Sequence, residues 1–239
     1  MAPGIRVFYY PCLMNWEAFW DAQAQVNDRN LQVGRVGSAA ADALNQRIAD
    51  HIATQLDLQA TDRLLDVCCG NGVLSTLLAS RCQLVLGVDL SDKLLAQARA
   101  DHRAPNLHFA KANALQLSGL GGQFTKINLY FSFQYFEHFE AGLRVLAEME
   151  SLLAPGGKIF IGDTPDDRRW FAYYNSPEKW LRYVYQKWKE KEPMGKFWHP
   201  REFQKMAESL GLAVEIMPEP ADLPYAWYRF DALFTKKLA

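Results

Sequence analysis

One short segment constrains this chain more than any other. An apolar run, Leu64-Leu65-Asp66-Val67, leads into Cys68-Cys69-Gly70-Asn71-Gly72, and a second apolar run, 84–88, ends at Asp89. This order is typical of a buried strand, a glycine turn into a helix, and a second parallel strand. Glycine lets the backbone approach a ligand closely, and an acidic residue at the tip of the next strand, roughly 20 residues further on, can accept hydrogen bonds from ribose hydroxyls. The segment predicts a pocket for an adenosine-like ligand.

Other nucleotide sites fit the same loop less well. Ser75 stands where a dinucleotide-binding loop has its third glycine. The loop also lacks the Lys-Ser/Thr pair of a phosphate-binding loop. An adenosine ligand without phosphates is the better interpretation, and a dinucleotide-dependent oxidoreductase stays the alternative.

At these residues the chain resembles the class I S-adenosylmethionine-dependent methyltransferases, whose first motif is an apolar strand, an acidic residue and a glycine-rich turn. The resemblance implies S-adenosylmethionine as cofactor and S-adenosylhomocysteine as product. It places Asp66 and the loop from Gly70 to Gly72 at the methionine end of the cofactor, and Asp89 at its ribose. Cys68 stands where the family usually has glycine, and a small apolar side chain fits there.

The adenine contact is predicted one strand further along. Asn113-Ala114 follows the third strand where the family often has Asp-Ala, and the Asn113 amide offers both an acceptor and a donor. The alternative is an ordinary loop asparagine. In full, the predicted cofactor-binding residues are Asp66, Cys68, Gly70, Gly72, Asp89, Leu90, Asn113, Ala114, Phe131, Gln32 and Arg35.

Apolar periodicity along the chain predicts alternating strands and helices. The expected strands are 63–67, 84–88, 107–110, 126–131 and 158–162, the last preceded by a Pro155-Gly156-Gly157 turn, and the expected helices are 44–56 behind a Ser38 cap, 72–81, 91–102, 141–153 and 200–210. Two final strands, 212–217 and 227–234, have no helix between them and should form an antiparallel hairpin. The fold class is therefore α/β, a doubly wound, mostly parallel sheet, and seven strands ending in such a hairpin are what the methyltransferase family shows.

Two segments lie outside this alternation: an N-terminal arm, 1–37, and an insertion, 165–199, within a methyltransferase domain of 38–239. The insertion holds ten of the chain's 31 aromatic residues, and 168–196 carries eight Lys/Arg against three Glu. It is predicted to form a helical lid whose rings line an acceptor pocket, and the alternative is a helical appendage packed on the core.

The arm contains three aromatic residues, Trp16, Phe19 and Trp20, that would share one face of a short helix. We expect the arm to fold over the cofactor, with Gln32 or Arg35 near the methionine carboxylate, because arginine suits carboxylates. The alternative is an arm that docks a second subunit.

Candidate catalytic residues follow the fourth strand, where the family often carries acceptor-site side chains. Gln134, Tyr135 and His138 are the polar candidates, and a neutral His138 can act as a general base. Its alternative role is to begin a surface helix.

Asp163 and His199 are further candidates, although His199, beside Pro200, is also well placed as a helix cap. The predicted catalytic residues are His138, Tyr135 and His199.

Composition excludes several classes. A formal net charge of −1 over 239 residues argues against a general nucleic-acid binder. The four cysteines have no Cys-x-x-Cys spacing, so neither a disulfide framework nor a metal site is indicated. Without a leader-like or membrane-spanning apolar segment, the chain is expected to be cytoplasmic, with no membrane partner, as a monomer or homodimer.

The sequence as a whole favours an enzyme that moves a methyl group from S-adenosylmethionine to an oxygen or nitrogen of a small molecule. An RNA-modifying methyltransferase that uses the basic lid, and a cofactor-binding protein without activity, stay open.

Overall fold

The computed structural model describes residues 15–26, 41–188 and 194–238, which form a seven-stranded sheet with helices on both faces. The strands are β1 (Arg63–Val67), β2 (Leu84–Asp89), β3 (Leu107–Lys111), β4 (Phe124–Tyr130), β5 (Leu153–Pro165), β6 (Ala213–Pro218) and β7 (Arg229–Thr235). The α-helices are α1 (Trp16–Gln23), α2 (Ala41–Leu56), α3 (Val73–Ala79), α4 (Asp92–Asp101), α5 (Phe139–Leu152), α6 (Trp170–Tyr173), α7 (Pro177–Trp188) and α8 (Pro200–Leu210).

The strand order is β3-β2-β1-β4-β5-β7-β6. Strands β1 to β5 pair in parallel, whereas β7 is antiparallel to both β5 and β6. The predicted doubly wound sheet with a C-terminal antiparallel hairpin is confirmed. The order reverses between β1 and β4, and in open α/β sheets ligands bind at the carboxyl ends of the strands beside that point.

Alternation along the central strands builds two apolar cores. Leu64 packs with the side chains of α2 and α3, whereas its neighbour Leu65 packs with those of α5 and α8. In β5, Phe160 joins the first core and Ile159 the second. Because successive side chains of a strand point to opposite faces, both faces of the sheet are buried, and this explains the nearly continuous apolar runs.

The fifth strand differs from its prediction. Leu153 already pairs with Phe124, and the register shifts before Lys158 pairs with Lys126. The Pro155-Gly156-Gly157 segment is therefore a bulge within the strand rather than a turn before it, with Gly156 at φ 74°. At its other end β5 runs on to Pro165, which pairs with Arg229 of β7.

The insertion 165–199, called the lid after its predicted role, contains the 3₁₀ turn Asp167–Arg169 and the helices α6 and α7. Ser38, Gln32 and Arg35 lie outside the described residues. No helix within the described ranges has both the length and the apolar character that crossing a lipid bilayer requires.

Candidate active site

The glycine loop between β1 and α3 is held in left-handed backbone conformations. Gly70 has φ 58° and Gly72 has φ 77°. A Cβ built on Gly72 would lie 2.6 Å from Phe109 Cζ, so only glycine fits between the loop and β3. The loop is also tied to the next strand, since the Gly70 N–H donates to Asp89 Oδ2 at 2.8 Å.

Cys68 occupies the same loop at φ 58°, a conformation that costs a residue with a Cβ about 1 kcal/mol or more. This explains why the methyltransferase motif that the sequence resembles has glycine at the position. Burial raises the pKa of both the Cys68 and the Cys69 thiol, and the carboxylates of Asp89 and Asp66 raise it further. The two thiols therefore stay protonated, and neither is an activated nucleophile.

Asp66 lies beneath the loop rather than at its surface. It is 3% exposed, and its carboxylate accepts the Ser75 hydroxyl at 2.5 Å and the Asn128 amide at 2.7 Å. These bonds fix α3 and β4 to β1 and so support the loop. A direct contact between Asp66 and the methionine end of a cofactor stays a prediction.

Asp89, at the tip of β2, faces the loop from the neighbouring strand. Its Oδ2 accepts the Gly70 N–H, and its Oδ1 accepts the Ser91 N–H at 2.9 Å. The residue is 8% exposed, and burial raises the pKa of its carboxyl group. The Leu90 N–H also bonds to this carboxylate, so three backbone N–H groups use most of its roughly four lone-pair directions, and the remainder can accept a ligand hydroxyl.

The predicted adenine contacts lie at the end of β3. Asn113 is exposed, and its Oδ1 accepts the Leu115 N–H at 2.9 Å, which forms a local turn. Ala114 is buried beneath it. The Asn113 side-chain oxygen is therefore used within this turn. That the Asn113 amide group contacts an adenine stays a prediction.

The helix α1 covers the carboxyl edge of the sheet. The Trp16 ring lies 4.6 Å from that of Tyr135, centroid to centroid, beyond the end of β4. Lys111 at the end of β3 pairs with Glu17 at 2.8 Å, and the Ser91 hydroxyl, just past β2, donates to Asp21. The helix thus bridges three strand ends around the glycine loop.

A cavity of about 540 Å³ opens between α1, the end of β4, the lid and the residues before β7. The described residues that line it are Phe19, Trp20, Gln23, Phe131, Gln134, Tyr135, Tyr173, Tyr174, Lys179, Arg182, Met194, Pro224, Tyr225, Trp227, Tyr228 and Arg229. This volume lies in the range of small-molecule sites.

The three predicted catalytic residues lie in different surroundings. Tyr135 lines the cavity, and burial raises its pKa to about 12, so its hydroxyl keeps its proton at neutral pH. His138 is exposed at the start of α5. His199 caps α8: its Nδ1 accepts the Arg201 N–H at 3.0 Å, and Glu202 accepts the His199 N–H. Of the three, the structure brings only Tyr135 to the described lining.

Sequence reasoning missed Arg229, which is 5% exposed at the start of β7 and lines the cavity. Its Nε lies 3.1 Å from Asp163 Oδ1, and its Nη2 donates to the Tyr228 hydroxyl at 3.0 Å. The guanidinium also lies 4.8 Å from the centre of the Phe131 ring. The available signal was a pair of charged residues, Arg229 and Asp231, in an otherwise largely apolar final strand.

Backbone strain marks the same edge of the sheet. Besides Cys68 after β1, Phe131 after β4 has φ 63° and Asp163 in β5 has φ 58°. Three adjacent strands therefore each place a non-glycine residue in the left-handed region near their carboxyl ends. Such strain persists only where surrounding contacts enforce it, and it clusters at functional sites.

A buried polar cluster underlies the Arg229–Asp163 pair. The Tyr130 hydroxyl donates to Glu219 Oε1 at 2.7 Å, and His51 Nε2 lies 2.7 Å from Asp231 Oδ2. Asp231 also accepts the Asp163 N–H at 2.9 Å. Burial, followed by the charge of Asp231, raises the pKa of Glu219 to about 7.

Comparison with known proteins places the glycine loop in a recognised domain. Residues 64–157 match a family model described as a methyltransferase domain. A demethylmenaquinone methyltransferase from Thermus thermophilus is 32% identical over 146 residues, 59% of this chain and 64% of that protein. A ubiquinone biosynthesis O-methyltransferase from Coxiella burnetii is 28% identical over 165 residues, 68% of each chain. The matched part spans less than two thirds of the Thermus protein.

Among solved structures, the magnesium protoporphyrin IX methyltransferase of Synechocystis PCC 6803, with bound S-adenosylmethionine, aligns at a TM-score of 0.63. The alignment covers 99% of this chain and 100% of that one, at 13% identity. At that identity the likeness shows the fold.

Proposed function

We propose that this chain, which belongs to the class I S-adenosylmethionine-dependent methyltransferases, transfers a methyl group to an oxygen or nitrogen atom of a small molecule. One observation carries the proposal: the glycine loop bonded to Asp89 and the aromatic cavity of about 540 Å³ open at the same edge of the sheet. The names of these two relatives, which refer to demethylmenaquinone and ubiquinone, support an acceptor of small-molecule size.

The residues present fit an S-adenosyl group. The Asp89 carboxylate stands at the tip of β2 beside the glycine loop, where it can accept a hydrogen bond from a ribose hydroxyl. The loop from Gly70 to Gly72 would lie along the methionine end, and Asn113 and Ala114 would lie at the adenine. In this proposal Leu90 and Phe131 line the same site, and Gln32 and Arg35 face the methionine carboxylate.

When bound, S-adenosylmethionine supplies an activated methyl group: its carbon–sulfur bond breaks as the acceptor atom bonds the carbon, the electron pair stays on sulfur, and the acceptor proton leaves. The chain itself has to align the acceptor and exclude water. Trp16 and Trp20 of α1 pack against Tyr135, which closes the site on that side.

Positioning is the main role that we assign to the cavity residues. Its described lining contains neither a histidine nor a carboxylate, and Tyr135 stays protonated, so Tyr135 orients the acceptor by hydrogen bonding. His138, three residues after Tyr135 and exposed at the start of α5, remains the proposed general base, from which the released proton would pass to solvent.

The proposal is tested by calorimetric titration of the purified protein with S-adenosylmethionine and S-adenosylhomocysteine. We expect micromolar binding that Asp89→Ala abolishes and Asp89→Asn weakens by about tenfold, because the amide keeps only one acceptor oxygen. Asp42→Ala, which removes an exposed carboxylate at the start of α2, should leave binding unchanged. Thermal melting of each variant checks that it is folded.

Methyl transfer is then followed with S-adenosylmethionine that carries a labelled methyl group. The protein is incubated with this donor and with either a small-molecule extract or RNA. Label in the small-molecule fraction supports the proposal. Label in RNA contradicts it, as does a wild-type protein that binds NAD and neither sulfur compound.

A further inference from the structure

The cavity combines many rings with charge of one sign. Its described lining contains nine aromatic side chains and three cations, Lys179, Arg182 and Arg229, and it contains no carboxylate. The chain as a whole has a formal net charge of −1, so this excess does not reflect a basic protein. The surroundings of the cavity are therefore selectively cationic.

The two lid cations do not have their charges neutralised within the described structure. Lys179 Nζ donates to the carbonyl of Tyr173 at 3.1 Å and to the side chain of Asn175 at 3.2 Å, and both partners are uncharged. Arg182 makes no ion pair with any described residue. In contrast, Arg229 is paired with Asp163, so it contributes donor groups rather than net charge.

The helix α7 carries these cations on the face that lines the cavity, where both also stay exposed to solvent. Lys179 and Arg182 are three positions apart, share one face and line the cavity. The large apolar side chains on the other face are solvent-exposed, namely Trp180, Leu181, Val184, Tyr185 and Trp188. Both faces of α7 therefore reach solvent, unlike those of an ordinary surface helix, whose apolar face is buried. Two cations beside an aromatic cavity whose described lining holds no carboxylate are suited to an anionic ligand.

A buried acceptor group completes the site. Gln134 is 1% exposed, its Nε2 donates to the Phe131 carbonyl at 3.0 Å, and its Oε1 has no hydrogen-bond partner in the described structure. A buried acceptor without a partner is costly, and a ligand O–H or N–H would satisfy it.

From these observations, and resting on the proposed function, we infer that the methyl acceptor is a flat aromatic molecule that carries an anionic group. The ring lies among Phe131, Tyr135 and Tyr225, and a carboxylate or similar anion faces Lys179 and Arg182. A hydroxyl or amine on the ring donates to Gln134. The cavity volume of about 540 Å³ admits a ligand of one to three fused rings.

The test uses matched pairs of probes that differ only in charge. Salicylate and 1-hydroxy-2-naphthoate are each titrated against their primary amides, with the full chain saturated with S-adenosylhomocysteine and binding followed by tryptophan fluorescence. We expect the carboxylates to bind about tenfold more tightly than the amides at low salt. The Lys179→Gln/Arg182→Gln double variant should lose most of that preference.

A matched control replaces two exposed cations outside the described lining, as Arg169→Gln/Arg201→Gln, and should keep the preference. Equal affinity for carboxylate and amide, no binding of any of the four probes, or a preference that survives in the lid double variant would each overturn the inference. Calorimetry with S-adenosylhomocysteine separates the two claims. If S-adenosylhomocysteine binds but the carboxylates are not preferred over the amides, only the proposed acceptor class is wrong. If S-adenosylhomocysteine does not bind but the protein alone prefers the carboxylates, the methyltransferase function is wrong and the anion site stands.

Discussion

Replacing Glu219 with glutamine is expected to make the protein more stable at alkaline pH and to leave its stability at strongly acidic pH nearly unchanged. Glu219 is 5% exposed, and its Oε1 accepts the Tyr130 hydroxyl at 2.7 Å. The charged and titratable groups around it are Asp231, Arg229, His51 and Tyr130. Glutamine keeps an oxygen for Tyr130 and removes the ionisable proton.

The size of this stability difference follows from the pKa of Glu219 in the folded and in the unfolded protein. Burial raises the pKa of Glu219 from 4.5 to about 7 in the folded protein. Between these pH values the folded state binds more protons than the unfolded state, so the free energy of unfolding falls as pH rises through this window. Each pH unit corresponds to about 1.4 kcal/mol, and the full loss above pH 7 is about 3 kcal/mol. The glutamine variant avoids that loss.

Urea denaturation at pH 5, 6, 7 and 8 measures the effect as the difference between variant and wild type. We expect a difference of about 1 kcal/mol in favour of the variant at pH 5 that grows to about 3 kcal/mol at pH 8. Glu215→Gln, an exposed change on β6, serves as control and should give a small difference that is the same at every pH. A Glu219→Gln difference that does not change with pH, or that favours the wild type at pH 8, would refute the reasoning.

Substitutions at three further positions, with one control elsewhere, test the local geometry of the site and of α8 by chemical denaturation. The free energy of unfolding of Cys68→Gly should lie within about 1 kcal/mol of the wild-type value because glycine adopts φ 58° freely, whereas Cys68→Val should be about 2 kcal/mol less stable than Cys68→Gly. Equal stabilities of the two variants would contradict backbone strain at this position. Gly72→Ala should cost about 2–4 kcal/mol, because the new Cβ meets the Phe109 ring at φ 77°, while Gly119→Ala, with open space around it, should cost under about 1 kcal/mol. His199→Ala should lower the free energy of unfolding by about 1 kcal/mol because α8 loses its cap, and His199→Asn should keep the stability because asparagine also caps helices. A His199→Asn variant as unstable as His199→Ala would argue against capping.

The fold was predictable from the sequence because its signals are local. The apolar run that ends at Val67, the glycines of the loop and Asp89 lie within about one strand–helix–strand unit, whose right-handed crossover is nearly obligatory. The bond between Gly70 and Asp89, at 2.8 Å, joins residues that this unit brings together by itself. Boundaries were less predictable, as the bulge at Gly156 shows, because the Leu153 pairing with β4 is a contact between strands.

The acceptor side of the site was predictable only in part. Tyr135 was found because it follows a strand whose carboxyl end faces the switch point. Arg229 was missed because its role depends on β7 entering the sheet beside β5, which places it against Asp163, 66 residues earlier in the chain. His199 carries the same side chain as any catalytic histidine, and only its bond to the Arg201 N–H shows that it caps a helix.

The sequence by itself determined the alternating strands and helices, the hairpin and the glycine–acid motif, since periodicity, backbone freedom and side-chain chemistry act within a few residues. Only the tertiary structure decided which side chains share the aromatic cavity, which carboxylates are neutralised and which way α7 faces. These properties depend on the packing of segments far apart in the chain. That α7 leaves Trp188 exposed while Arg182 lines the cavity can be recognised only once the packing around the helix is known.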